Sequence, residues 1–199
     1  MHHRKVFPVN CLNNIVASAG SRKFFGFKLL TYQVRDYYGA ATRASIHEWL
    51  SDHDFLVFHI KRENLFSLAV SNIYARRRGA FHSTDKNSSL DMKVSIRPEE
   101  ILYWMEGSRA SMQFEERFLR GLNSITISYE RDLASEDALS VTYRRILHVL
   151  GAEHSPLVIQ NKKVTPINYS GFIMNYDEIL DRIGSTEFGS YLPRPSCSV

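Results

Sequence analysis

Arg62 stands two residues beyond the apolar run Phe55-Leu56-Val57-Phe58-His59-Ile60, and Ser71 follows it by nine residues. A guanidinium presents a planar fork of donors that matches a phosphate, and a serine hydroxyl can add one more. Together they would grip one end of a phosphorylated ligand. Spacing alone fits a solvated strand-end charge and an incidental helix serine at least as well. For proton transfer the candidate groups are His47, Glu48, His59 and His82. His59 lies inside the apolar run and reads as a core histidine, while His47 and Glu48 read as a solvated helix face. Lys28 reads as a snorkelling lysine. Arg76-Arg77-Arg78 reads as a solvated helix end that suits the negative end of the dipole. No Cys/His set has metal-ligand spacing, and neither a Gly-x-Ser-x-Gly elbow nor a Walker-type loop occurs.

The elements that must position these residues follow from hydrophobic periodicity. Continuous apolarity over 55–60 predicts a strand covered on both faces, as in a parallel sheet. Beyond it Leu65, Ala69 and Ile73, joined by Phe66, Val70 and Tyr74, recur at helical spacing. Strand into amphipathic helix is the opening of a βαβ unit. Phe24–Tyr32 predicts an earlier strand from its aromatic content, and a short helix is expected around Ala44–Leu50. Residues 79–93 read as a surface loop. Pro98, Glu99 and Glu100 begin a helix carrying Ile101, Met105, Met112, Phe118, Leu119 and Leu122, weakened at Gly107. Ser124–Tyr129 reads as a strand. A helix over 136–150 turns Leu139, Tyr143, Ile146, Leu147 and Leu150 inward and stops at Gly151. Residues 156–169 are expected to be irregular. Asn175 should cap a last helix, in a box with Glu178, that ends at Gly184.

A chain of 199 residues is long enough for a single substantial core. Its 44% hydrophobic and 23% charged residues exclude extensive disorder. A net charge of +4 suits an anionic ligand but is too mild to imply nucleic acid, and no stacked-aromatic and basic RNA-binding motif occurs. Two cysteines, Cys11 and Cys197, make no disulfide framework and read as reduced thiols. No apolar run reaches the length of a membrane span, and the N-terminal apolar stretch is too short and interrupted for a signal peptide. A cytoplasmic protein is expected.

The run Phe58-His59-Ile60-Lys61-Arg62-Glu63-Asn64-Leu65-Phe66, continuing through Ala69-Val70-Ser71, Ala75 and Gly79-Ala80-Phe81-His82, resembles the sulfotransferase superfamily. Within it, the run is most similar to bacterial carbohydrate sulfotransferases of the nodulation-factor type. Three further segments agree in order. Phe25-Gly26-Phe27-Lys28-Leu29 resembles the family's Gly-Phe-Lys strand. Ile127-Ser128-Tyr129-Glu130-Arg131-Asp132-Leu133 resembles its Tyr-Glu-Asp-Leu strand end, with an arginine inserted. Asn161-Lys162-Lys163, then Asn175–Leu180 and Gly184-Ser185-Thr186, resemble its closing basic loop and C-terminal helix.

The resemblance implies an α/β three-layer sandwich with a mostly parallel central sheet over residues 24–192. An irregular segment, 1–23, would precede it and a tail, 193–199, would follow. It implies PAPS (3′-phosphoadenylyl sulfate) as sulfuryl donor, without a metal, and a carbohydrate or other small-molecule acceptor. Arg62 and Ser71 would hold the 3′-phosphate, Tyr129 the adenine, and Lys162 or Lys163 the nucleotide. The chain departs from the family at its start, where the first strand and the Arg/Ser/Gly/Thr-rich phosphosulfate loop are not evident. Ile15–Lys23 is apolar, then small, then basic, but the Gly26-Phe27-Lys28 strand begins too soon to leave room for the helix such a loop needs. It is read as a loop, and no catalytic base is assigned. The alternatives are an inactive or truncated nucleotide-binding relative, and a nucleotide-kinase-like protein.

Overall fold

The computed structural model describes residues 9–20, 24–79, 92–153, 155–159 and 168–193. In chain order the elements are α1 (Val9–Ala19), a π-helical turn (Gln33–Tyr37), α2 (Ala40–Asp52), β1 (Val57–Lys61), α3 (Leu65–Arg78) and α4 (Pro98–Phe118). They continue with β2 (Ser124–Ser128), α5 (Tyr129–Asp132), α6 (Glu136–Val149), α7 (Tyr169–Phe172), α8 (Tyr176–Gly184) and a 3-10 turn (Gly189–Tyr191). The chain is α/β, with β1 and β2 paired in parallel as a two-stranded sheet. The larger central sheet of a three-layer sandwich is not found among the described residues. Two compact units divide the chain: residues 1–59 with 110–126, and residues 60–109 with 127–199. Each strand, and α4, contributes residues to both.

In the first unit, Leu12, Ile46, Trp49, Leu50 and Leu122 form a buried cluster, with Phe27, Leu29 and Phe55 packed against it. Two expectations are corrected here. The segment expected to be irregular from the start, and a loop from Ile15, is helical through α1, which buries Leu12. Asn13 on that helix accepts a hydrogen bond from Trp49 Nε1 at 2.7 Å. Residues 24–30 are not a strand. Phe27 instead sets its ring edge-on against Phe55 at 5.5 Å and lies 6.3 Å from Trp49. Aromatic content signals a half-buried surface as much as a sheet partner, and here the aromatic packing is made without one.

In the second unit, α3 has the expected amphipathic face: Leu65, Phe66, Ala69, Val70, Ile73 and Tyr74 are all buried. Asn64 caps it by accepting from the Ser67 N–H at 2.8 Å. Gly79 ends it at φ +70°, a left-handed conformation that glycine adopts at no steric cost. The ring of Tyr74 meets Phe172 edge-on at 4.9 Å, and that of Phe66 meets Tyr169 edge-on at 5.4 Å. α4 passes through Gly107 unbroken. On α6 the five residues expected inward are only half-buried; the buried position is Thr142, whose hydroxyl donates to the Asp132 carbonyl at 2.9 Å. Of the segment expected to be irregular, residues 155–159 have no regular structure, while 160–167 lie outside the described residues.

Asn175 precedes α8 as expected, but its side chain makes no cap. Its Oδ1 accepts from the Ile96 N–H at 3.0 Å, while its Nδ2 donates to the Ile96 carbonyl and to Glu178, each at 2.9 Å. Beside it Val94 and Ile173 form a parallel bridge. Asn175 thus serves the backbone of a fully buried residue. Asn175→Ala would leave both polar groups of Ile96 unpaired, at a cost of about 1–3 kcal/mol. Asn175→Asp should recover part of this, since a carboxylate can accept from the Ile96 N–H but cannot donate to its carbonyl. Urea unfolding of the two variants would read the order; equal stability of both with the parent would remove the role.

Candidate nucleotide-binding site

Because β1 and β2 are parallel neighbours, their carboxyl ends lie at one edge, and open α/β sheets bind ligands at that edge. Arg62 is the first residue beyond β1 and Tyr129 the first beyond β2. The Arg62 guanidinium lies over the Tyr129 ring, 4.0 Å from its centroid, a cation–π contact. Its Nε is buried with no hydrogen-bond partner among the described residues.

Glu130 supplies the nearest opposite charge. Arg62 Nε is 3.9 Å from Glu130 Oε1, an ion pair without a hydrogen bond. The same carboxylate accepts from the backbone N–H of Glu63 at 2.9 Å and of Asn64 at 3.3 Å. These two amides stand immediately before α3, beside the positive end of its dipole. One guanidinium and two convergent amides make an anion cradle, and the protein's own Glu130 carboxylate sits in it. Sequence reasoning named Arg62 and Tyr129 but gave Glu130 no role. The available signal was an acid directly after a strand-end tyrosine, opposite a strand-end arginine.

Ser71 is the seventh residue of α3, so it stands about 9 Å along the helix axis from Leu65. It is half-buried. Lys162, Lys163 and His82 lie outside the described residues.

Arg131 has a structural account. Ser128 caps α5, and the Ser128 N–H donates to Asp132 Oδ2 at 2.8 Å. Arg131 donates to both Asp132 oxygens, at 2.9 and 3.0 Å. Asp132 titrates below the ordinary carboxylate range, chiefly through the Arg131 hydrogen bonds and then through the Ser128 N–H, against the opposing effect of burial. A folded pKa below the unfolded value adds stability above the unfolded pKa, and that stability is lost as pH falls through the folded pKa. Acid titration below about pH 4 should therefore destabilise the parent more than Asp132→Asn. Parallel acid limbs in the two would count against it.

The proton-transfer candidates of the first unit are placed as follows. His59 Nε2 donates to Glu115 Oε2 at 3.0 Å, with the imidazole 12% exposed, and Glu115 Oε1 accepts from the Thr31 hydroxyl. The histidine expected in a core is only part-buried, and Glu115 satisfies its ring. β1 is not the strand covered on both faces that its apolar run suggested: none of its residues is buried and Ile60 is 59% exposed. A part-buried polar ring still gains from such a partner, but nothing in the sequence named which acid. His47 is half-buried, its Nε2 donating to the Arg120 carbonyl at 3.1 Å; Glu48 and Lys28 are exposed.

No protein-family model, curated protein or solved structure matches the chain. No described helix is long and apolar enough to cross a membrane.

Proposed function

We propose that the chain is a PAPS-dependent sulfotransferase that passes a sulfuryl group to a hydroxyl of a carbohydrate or related acceptor. On this reading the Arg62 edge receives the 3′-phosphate end of the nucleotide. The observation that supports it best is the meeting of Arg62 and Tyr129 beyond two adjacent parallel strands, with a buried guanidinium N–H that has no hydrogen-bond partner among the described residues. The two-strand sheet would be the minimal form of the strand-end crevice expected in a three-layer sandwich. Ser71, Lys162 and Lys163 complete the nucleotide contacts in the proposal.

A second reading, nucleotide binding without turnover, is favoured by one observation. Gly20 follows the end of α1 at φ +58°, so this small-residue stretch closes a helix rather than opening one. A helix N-terminus is what would hold a phosphosulfate.

Calorimetry with adenosine 3′,5′-bisphosphate, set against ATP, tests both readings. The bisphosphate should bind more tightly than ATP, and labelled sulfate should pass from PAPS to a sugar. Binding without transfer would assign the second reading. No heat with the bisphosphate would reject both.

A further inference from the structure

The first unit carries a shallow, solvent-open cleft of about 600 Å³ whose lining includes Arg35, Arg43, His47 and Arg117 and no aspartate or glutamate. Volumes of this order hold small-molecule ligands. The elements around it are the π-helical turn, α2 and the C-terminal part of α4. π-Helical turns recur at functional sites.

Two of the arginines are held in place. Arg35 is tied to Asp36 at 2.6 Å and donates to the Ser111 hydroxyl at 2.5 Å. Arg43 donates to the Arg35 carbonyl at 3.1 Å, and its guanidinium lies 5.8 Å from the centroid of the Phe114 ring. Asp36 offsets the charge of Arg35, but Arg43 and Arg117 make no ion pair among the described residues. Arg117 is exposed. His47 donates from Nε2 to the Arg120 carbonyl, which anchors its ring beside the arginines. Phe114 and Phe118 stack 5.6 Å apart at 20° and give the cleft an apolar wall. A bare oxyanion would use the cations and leave that wall unoccupied.

We propose that this cleft binds a phosphate or sulfate monoester carried on a flat ring, with Arg43 and Arg117 on the anion and Phe114 and Phe118 against the ring. The site shares no residue with the Arg62 edge and does not depend on the nucleotide reading.

Calorimetry on the full chain with 4-nitrophenyl phosphate and 4-nitrophenyl sulfate is the test. Inorganic phosphate and 4-nitrobenzyl alcohol report the anion and the ring alone. An aryl ester should bind at least about tenfold more tightly than either, and Arg43→Ala or Arg117→Ala should each weaken it about tenfold or more. Arg43→Lys keeps the charge without the fork and should lose less. Binding of adenosine 3′,5′-bisphosphate is read separately, so failure here and failure at the nucleotide edge are told apart. Far-ultraviolet circular dichroism checks that the variants fold, and exposed Arg117 is the position least coupled to folding. Three results would overturn the proposal: no heat with either ester, inorganic phosphate binding as tightly as the esters, or parental affinity in the Arg43→Ala/Arg117→Ala double variant.

Discussion

Arg62→Ala is expected to weaken binding of adenosine 3′,5′-bisphosphate by about 10- to 100-fold, the range of a lost hydrogen bond to a charged group. Glu130→Gln should act in the opposite direction. The Glu130 carboxylate accepts from the two amides before α3 and lies against Arg62, so an incoming phosphate meets a resident negative charge. Glutamine keeps an acceptor for only one of the two amides, so it gives up the other bond as well as the charge. The pair of variants separates a phosphate grip from a structural arginine. If Arg62 served only to cover Tyr129, Arg62→Ala would cost about 0.5–1 kcal/mol of stability and Glu130→Gln would not tighten anything. Arg62→Lys refines the test, because a point charge cannot reproduce the fork. Equal affinity in the parent, Arg62→Ala and Glu130→Gln would remove Arg62 from any binding role.

Phe66→Ala should be the most damaging single change to the fold, costing about 3–5 kcal/mol. The side chain is fully buried on the second residue of α3, and its ring meets Tyr169 edge-on. Natural domains are stable by only about 5–15 kcal/mol, so this is a large share of the total. The loss combines the transfer of a phenyl ring back to water with a cavity that α3 cannot close, since Leu65, Ala69 and Val70 around it are equally buried. Phe66→Leu should recover part of it by filling the space. Urea titration followed by circular dichroism measures both. A cost below about 1 kcal/mol for Phe66→Ala would mean that the site collapses freely and that α3 is not the anchored element described above.

α3 was legible because its apolar residues recur at helical spacing; the Asn64 cap and the Gly79 stop that bound it were not read from the sequence. β1, β2, α4, α6 and α8 were legible for similar reasons. The first unit was not. Phe24–Tyr32 has strand composition, yet its Phe27 ring is packed on Trp49 and Phe55, residues that local pattern cannot bring to it. α1 was missed because Asn10, Asn13 and Asn14 blur an apolar stripe that buries Leu12. At the candidate site, the strand ends of Arg62 and Tyr129 could be read from pattern. Their mutual contact could not, because it depends on which strands are neighbours. Glu130 and Glu115 were missed for a common reason. A carboxylate's partner is set by tertiary approach across 67 residues in the first case and 56 in the second, with no local trace.

The join between Asn175 and Ile96 spans 79 residues of chain. A contact of that sequence separation must be preceded by the loop it closes, whose entropy has to be met before any bond returns energy. α3 and α4, whose helical backbone bonds are local, can form before it. Asn175 then acts as a late fastener that governs how fast the native state opens. Asn175→Ala should speed unfolding in stopped-flow urea jumps while leaving the refolding rate nearly unchanged. A slowed refolding limb would instead put this closure in the nucleus. The residue preceding α8, expected from sequence to stabilise its own helix, would by this measure set the lifetime of the fold.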